Sequence, residues 1–430
     1  MNKGVIVLLV GLALVVMVSP GIIGMLAEKS VDEQINIATT SGPGLTITAE
    51  RFERGWFSSQ GQHRIELQDP GGAASIKPFL GLGDDSDLPV LIVDTELSHG
   101  LIALTALGEE HGSLMPGLGR AISTLSLEMH DGSVIPLPGN IYSSLSLTGD
   151  LSSSYRAAAG SQGPASWGNI EINFESAATG DEHSYSGSVE SLQLTQGNDL
   201  FVLLGASFAG DLEMSEFGFA VGDMQLALDS LSSSTGGARN ASVGPVAFNT
   251  HSSISDGRLN AESELQLTIA GIPAIDKFSI DTRLTFAGVD GHALRRLVEN
   301  LQLMQNNGNH MAAQEAINEN VLEIIAAGGD LNIERLEVSL PMGTIKSVIN
   351  IRFLENDRAD FGWASVLLAL EADAKFEFSE ALVELAMMMS SDLEIVRSFL
   401  NKNGDIYEME IAYKKALLTV NGLPVPIPIL

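Results

Sequence analysis

From Leu45 to about Thr285 the chain alternates apolar and polar residues in short runs separated by Gly, Ser, Asn and Asp, and this period of two restricts the fold more than any other feature. Side chains of a strand point alternately to opposite faces, so such runs build a sheet with one covered and one wet side. Ile141-Tyr142-Ser143-Ser144-Leu145-Ser146-Leu147, Ile170-Glu171-Ile172-Asn173-Phe174, Met224-Gln225-Leu226-Ala227-Leu228 and Glu264-Leu265-Gln266-Leu267-Thr268-Ile269 are examples. Leu45-Thr46-Ile47-Thr48 opens the series. The economical arrangement is a long antiparallel meander. Ser152-Ser153-Ser154 and Ser232-Ser233-Ser234-Thr235-Gly236-Gly237 read as turns and loops between strands.

Helical spacing enters only later. Asp290 stands as N-cap before Leu294, Leu297, Val298 and Leu301, and Asn306-Asn307-Gly308-Asn309 closes that helix. A second helix carries Ala313, Ile317, Val321 and Ile324 before Gly328-Gly329. Strands return over residues 331–340 and 344–353. A third helix follows Ser379 as N-cap, with Leu382, Leu385, Ala386, Met389, Leu393, Val396 and Leu400 on one face and Gly404 after its end. Within it Met387-Met388-Met389 reads as core packing rather than an adaptable binding surface. A last strand runs from Ile406 towards Val420. In the tail beyond, Pro424, Pro426 and Pro428 cannot donate ladder bonds, so it can form an edge but not a central strand.

The first 27 residues contain one charge before Glu28, Lys3, and the run from Gly4 to Ala27 is about 24 residues, long enough to cross a bilayer core. A cleaved signal peptide competes with this reading, but the best-placed cut, after Ala27, has the bulky Met25 where a small residue belongs. Lys3 and the free amino terminus against Glu28, Asp32 and Glu33 put the N-terminus in the cytoplasm and the bulk outside. The expected fold class is therefore β-rich (α+β), with an N-terminal transmembrane helix (1–27), a stalk (28–44) and a large, mainly antiparallel, curved sheet domain (45–430). About three helices in the C-terminal half cover that sheet, and lobes at 45–250 and 251–430 are one way to divide it.

Charge and cysteine content exclude several function classes. A formal net charge of −31 repels phosphate backbones, so no nucleic-acid partner is expected. Cysteine is absent, which removes disulfides, thiol nucleophiles, thiolate zinc sites and a lipoprotein anchor. The 8 histidines show no metal-ligand spacing and read as surface or loop residues. No nucleophile elbow, phosphate loop or dinucleotide fingerprint occurs. Asp84-Asp85-Ser86-Asp87 lacks the glycine of a calcium loop and reads as a solvated acidic loop. No catalytic residue, metal or cofactor is expected, and nothing singles out a carboxylate pair among 54 acids.

The most distinctive string is Arg51-Phe52-Glu53-Arg54-Gly55-Trp56-Phe57-Ser58-Ser59. It reads either as a recognition patch or as a hairpin or bulge whose Gly55 takes unusual backbone angles while Trp56 and Phe57 fill a core, and the structural reading is preferred. The N-terminal anchor, Arg54-Gly55-Trp56-Phe57-Ser58-Ser59, the Ser/Gly-punctuated strands and Tyr407-Glu408, Ile411-Ala412-Tyr413 and Val420-Asn421-Gly422 near the C-terminus together resemble the YdgA-like family of bacterial envelope proteins. The chain departs from that pattern at Lys414-Lys415-Ala416, where the family has an Asp-Gly turn. The Leu340-Pro341-Met342-Gly343 turn is similar to turns of AsmA-like envelope proteins, whose grooved sheets are associated with lipid movement. The resemblance implies a periplasm-facing protein of the Gram-negative inner membrane, with Arg54, Gly55, Trp56, Phe57, Ser58, Asn421 and Gly422 as family-motif positions of structural character and no catalytic residues to carry over.

The expected function is a non-enzymatic envelope protein that binds lipid or another hydrophobic ligand in a β-groove, partnered by the inner membrane. A scaffold for another envelope protein is the alternative, and a hydrolase with dispersed carboxylates ranks third.

Overall fold

The computed structural model describes residues 45–425 apart from 55–57, 68–87, 100–116, 130–131, 147, 164, 197, 236–237, 273–274, 308–309, 357–361 and 390–396. The expected anchor and stalk, Gly55, Trp56 and Phe57, the acidic loop at Asp84–Asp87 and the proline tail beyond Val425 lie outside the described residues. Among the described residues no helix is long and apolar enough to cross a membrane. The chain divides into two compact units, one of residues 1–211 and 228–239, the other of residues 212–227 and 240–430.

In the first unit β1 (Leu45–Arg54), β2 (Ser58–Leu67), β3 (Val90–His99), β4 (Gly117–Glu128), β5 (Val134–Ser146) and β6 (Leu151–Ala157) pair successively, each antiparallel to the last. The short hairpin of β7 (Gly160–Gln162) and β8 (Ala165–Trp167) interrupts the meander, so that β6 pairs next with β9 (Ile170–Ser176). β10 (Glu182–Gln196) then pairs with both β9 and β8. Register aligns Ile47, Ile65, Leu91 and Leu127 in one cross-strand row and Ile141, Tyr155 and Ile172 in another. These side chains are almost fully buried, Leu127, Tyr155 and Ile172 at 0% exposure, and form the main hydrophobic core.

That buried face is not purely apolar. Thr95 and Ser123 share a hydrogen bond of 2.7 Å, and Ser143 and Ser153 one of 2.9 Å, across adjacent strands. Ser152-Ser153-Ser154 is therefore no loop but the heart of β6: a buried hydroxyl costs little when the neighbouring strand offers another hydroxyl. Ser232–Thr235 likewise belong to a strand, β12 (Ala220–Thr235). His63 corrects the reading of the histidines, because it sits on the core side of β2 between Ala49 and Val93, with no hydrogen-bond partner for Nδ1. Burial without a partner pushes its pKa down.

β11 (Asp199–Met214), β12 and β13 (Ala238–Ser255) contribute residues to both units. In the second unit β13, β14 (Arg258–Ile272), β15 (Ile275–Asp290), β16 (Gly329–Leu340), β17 (Gly343–Phe353) and β18 (Leu370–Ser379) pair in order. β20 (Ile406–Lys414) follows β18, and its other side takes both β19 (Asn401–Asn403) and β21 (Leu417–Val420). β22 (Leu423–Val425) pairs, among the described residues, with β21 alone, as the edge position expected of the Pro424 segment.

Among the described residues four helices interrupt this meander: α1 (Gly291–Asn307), α2 (His310–Ala326), α3 (Trp363–Ala369) and α4 (Glu380–Met389). Asp290 caps α1 as expected, its Oδ1 accepting the Ala293 N–H at 2.8 Å. Three of the expectations need correction. A fourth helix, α3, exists where three were expected, and with seven residues it is too short to show a periodic stripe. Ser379 ends β18 instead of capping α4, and its hydroxyl accepts the Thr344 N–H at 3.1 Å. The single strand expected from Ile406 to Val420 is a hairpin that turns at Lys415-Ala416.

Candidate ligand-binding face

All the described strands belong to one 22-stranded antiparallel sheet, and within the second unit register divides its side chains into two faces of opposite character. Glu262 and Glu264 on β14 stand opposite Thr285 and Arg283 on β15, and Asp281 and Arg283 stand opposite Glu337 and Arg335 on β16. The polar rows continue with Lys346 and Arg352 on β17, then Glu371, Asp373, Lys375 and Glu377 on β18. Ion pairs bind this face crosswise. Arg283 meets Glu262, Glu264 at 3.5 Å and Glu334 at 3.2 Å; Arg335 meets Asp281 at 2.9 Å; Arg352 meets Asp330 at 2.7 Å. Lys346–Glu337, Lys375–Glu377 and Lys414–Glu371 are each 3.2 Å. The hydrogen bond that Lys375 donates to Glu377, with the charges of Glu408, Glu377 and Glu410, raises the Lys375 pKa, so that cation is fixed.

A concavity of ≈ 340 Å³ opens on this face, lined by Val348, Asn350, Asp373, Lys375, Glu410 and Thr419 among others. Its two acids, Asp373 and Glu410, are exposed. Among the described residues no group of three or more His, Asp or Glu gathers in a way that could hold a metal ion.

The opposite face is mainly apolar. Leu265, Leu267 and Ile269 on β14 stand opposite Thr282, Ile280 and Phe278 on β15, and Leu284 and Phe286 stand opposite Ile333 and Leu331 on β16. Ile349 and Ile351 on β17 link these to Ala374 and Ala372 on β18, and Phe376 and Phe378 to Met409 and Tyr407 on β20. In contrast to the first unit, this face is incompletely covered. Only Ser347, Tyr407, Tyr413 and Val420 are buried among its described strand residues, while the remaining leucines, isoleucines and phenylalanines are half-buried and Phe286 is 38% exposed.

The helices explain the pattern. α1 and α2 join the end of β15 to the start of β16, and α3 joins the end of β17 to the start of β18, so in an antiparallel sheet all three belong to one end. Phe217, 4% exposed, fixes the root of α1 there: its ring meets the His292 ring edge-on at 4.9 Å and leaves no room for a Cβ at Gly291. The Tyr413 hydroxyl donates to the Leu367 carbonyl of α3 at 2.8 Å. α4 follows β18 at the other end and packs against β17, β18 and β20. Since Lys346, Val348, Lys375 and Glu410 on the charged side of those strands are exposed, α4 lies on the apolar side. Between the two ends the apolar face stays half open.

Of the motif positions described, Gly422 lines the concavity on the charged face, and none stands on the half-open apolar face. Arg54 closes β1 opposite Ser59, and Ser58 opens β2 opposite Ser98, so the distinctive string forms the flanks of a hairpin in the first unit. Asn421 and Gly422, with φ of 49° and 76°, form the turn from β21 to β22 in the second unit. The Asn421 side chain holds that turn down, Oδ1 accepting the Glu410 N–H at 2.8 Å and Nδ2 donating to the Phe399 carbonyl. The two motifs thus belong to different units. Sequence reasoning missed Ser347, although a serine at an inward position of Ile345-Lys346-Ser347-Val348-Ile349 breaks the alternation visibly.

Comparison with known proteins adds a family and no function. No curated protein and no solved structure matches the chain. A family model described as "Bacterial protein of unknown function (DUF945)" matches residues 1–428, and the chain belongs to that bacterial family.

Proposed function

We propose that this protein is a non-enzymatic component of the bacterial envelope, held at the inner membrane by its N-terminal apolar run, that binds a hydrophobic ligand along the apolar face of the second unit's strands. The observation that carries the reading is the half-burial of that face beside the complete burial of the first unit's core. A sheet with one apolar side must cover it with helices or with something else. Here the helices take the two ends and leave Leu284, Phe286, Leu331, Ile333 and Ile349 half exposed. Completing the burial of each such side chain is worth roughly 1 kcal/mol, so an acyl chain lying across five of them gains several kcal/mol before its ordering cost. The end motifs that resemble the YdgA-like family support an envelope location, as does a run from Gly4 to Ala27 long enough to span a bilayer.

Photocrosslinking tests this. The full chain carrying p-benzoylphenylalanine in place of Phe286 is expressed in a Gram-negative host, irradiated in intact cells and weighed after purification. A lipid-mass adduct at Phe286 that is absent when the probe replaces Glu264, on the charged side, is the expected result. Adducts at neither position, or equally at both, would refute the reading.

A further inference from the structure

Ser347 is 5% exposed, and its hydroxyl has no hydrogen-bond partner. It lies on the apolar face, opposite Leu336 on β16 and Phe376 on β18. A buried hydroxyl without a partner is a net cost to the fold, and an aliphatic side chain would suit this position better. Two other hydroxyls of the face show the usual remedy: Thr250 and Ser263 bond one another at 3.0 Å, and Thr250 also bonds the Glu262 carbonyl. α4, which covers these strands, offers Ser347 nothing, since Glu380 and Glu384 are its only polar side chains and Glu380 is engaged by Lys402.

We infer that Ser347 is the polar anchor of the ligand site, donating its hydroxyl to the carbonyl oxygen of an acyl-ester lipid of the membrane whose chain lies along the apolar face; the inference rests on the hydrophobic-ligand reading above. Three features select that chemistry. The hydroxyl is a neutral donor in apolar surroundings, which suits a neutral acceptor. The cations Lys346, Arg352 and Lys375 belong to the opposite face and are already paired, while Lys402 is held by Glu380 and by the Tyr407 ring, so a charged headgroup finds no free counter-ion on this side among these groups. The cover itself can yield. α4 is tied at its first residue by the Glu380 N–H to the Asp405 carbonyl at 2.9 Å, whereas its far end carries unbranched methionines, of which Met388 is 83% exposed. The lipid reaches Ser347 by parting that end from β17 and β18.

The test repeats the Phe286 crosslink in full chains carrying Ser347→Ala or Ser347→Thr. Loss of one buried hydrogen bond should lower the adduct yield of Ser347→Ala about fivefold, with a melting temperature equal to or above that of the wild type. Ser347→Thr, which keeps the hydroxyl, should recover at least half the yield, a rescue that a purely structural role would not give. Equal yields in wild type and Ser347→Ala overturn the anchor while leaving the hydrophobic face intact, and so does an adduct whose mass is that of a lipid without an ester. No lipid on the wild type at Phe286 overturns both.

Discussion

Replacing Ala416 with glycine should stabilise the C-terminal hairpin. The register Lys414 opposite Leu417 leaves two residues in the turn, Lys415 and Ala416, with φ of 51° and 61°. Positive φ at both central positions defines a type I′ turn, the tight turn whose twist matches antiparallel strands. The same sheet makes this turn twice more with suitable residues, Asp256-Gly257 at 53° and 74° and Asn421-Gly422 at 49° and 76°. At Ala416 the Cβ stands in the left-handed region, at a cost of about 1–2 kcal/mol. Glycine removes that cost but loses about 0.5–1 kcal/mol more chain entropy on folding. The net expectation for Ala416→Gly is about 0.5–1 kcal/mol of stabilisation, a two- to fivefold slower opening of the β20–β21 ladder. Hydrogen exchange read by mass spectrometry on peptides covering Ile406–Val420 measures it locally, which matters because a chain of two units need not unfold in one step. Gly422→Ala is the reverse control. No atom lies within 4 Å of the added Cβ, so the backbone alone decides, and exchange across β21 and β22 should quicken by a similar factor. Unchanged or faster exchange in Ala416→Gly would refute the turn assignment and the reasoning from φ.

Other expectations follow from side-chain environments. Burial holds the His63 pKa below its usual 6.5, so the folded state resists a proton that the unfolded chain accepts. Stability is complete above that pH and falls as pH drops towards the lowered folded value, and His63→Leu should flatten the decline in thermal midpoint between about pH 7 and 5; a decline as steep as the wild type's would count against it. Arg283→Ala leaves Glu262, Glu264 and Glu334 facing one another without their cation, and should cost about 1–2 kcal/mol in dilute buffer and roughly half that in about 0.5 M NaCl. A loss independent of salt would point to packing instead. Asp290→Ala removes the cap of α1 and should cost about 1 kcal/mol, read as faster exchange in the first turn of that helix, with Asp290→Ser recovering most of it.

The parts of this architecture that were legible in the sequence are those set by local chemistry. Alternation located the strands, Asp290 marked the start of α1, and Gly328-Gly329 marked the stop of α2, where a Cβ on Gly328 would press on the Phe353 carbonyl. The misreadings arose where tertiary partners overrule local preference. Three successive serines suggest a turn, yet Ser153 is bonded to Ser143 inside a sheet. Lys415-Ala416 carries no turn signal, and the strands on either side impose the turn on it. α3 is too short for a period to show. The candidate site was half legible: which residues face the apolar side of each strand follows from alternation, but how far helices cover that side depends on where they dock. Ser347 breaks the alternation in the sequence, but only its burial and its missing partner mark it as more than an ordinary strand serine.

The charged face of the second unit's strands also restricts which strand registers are compatible with the sheet. A sheet whose sides differ in polarity forbids a slip of one residue, which would turn every apolar side chain outward, but polarity alone does not forbid a slip of two. Sliding β18 by two along β17 in one direction sets Lys346 against Lys375 in place of Glu377, and sliding it the other way moves Glu377 onto Val348 and strips Lys346 of its acidic neighbour on β18. Lys346 is matched at once to Glu337 on one side and Glu377 on the other, and Arg352 to Asp330 and Glu371. In a chain with more than twice as many acids as bases, these few cations serve as alignment marks: each strand can find its register against neighbours on both sides before the apolar face has a cover.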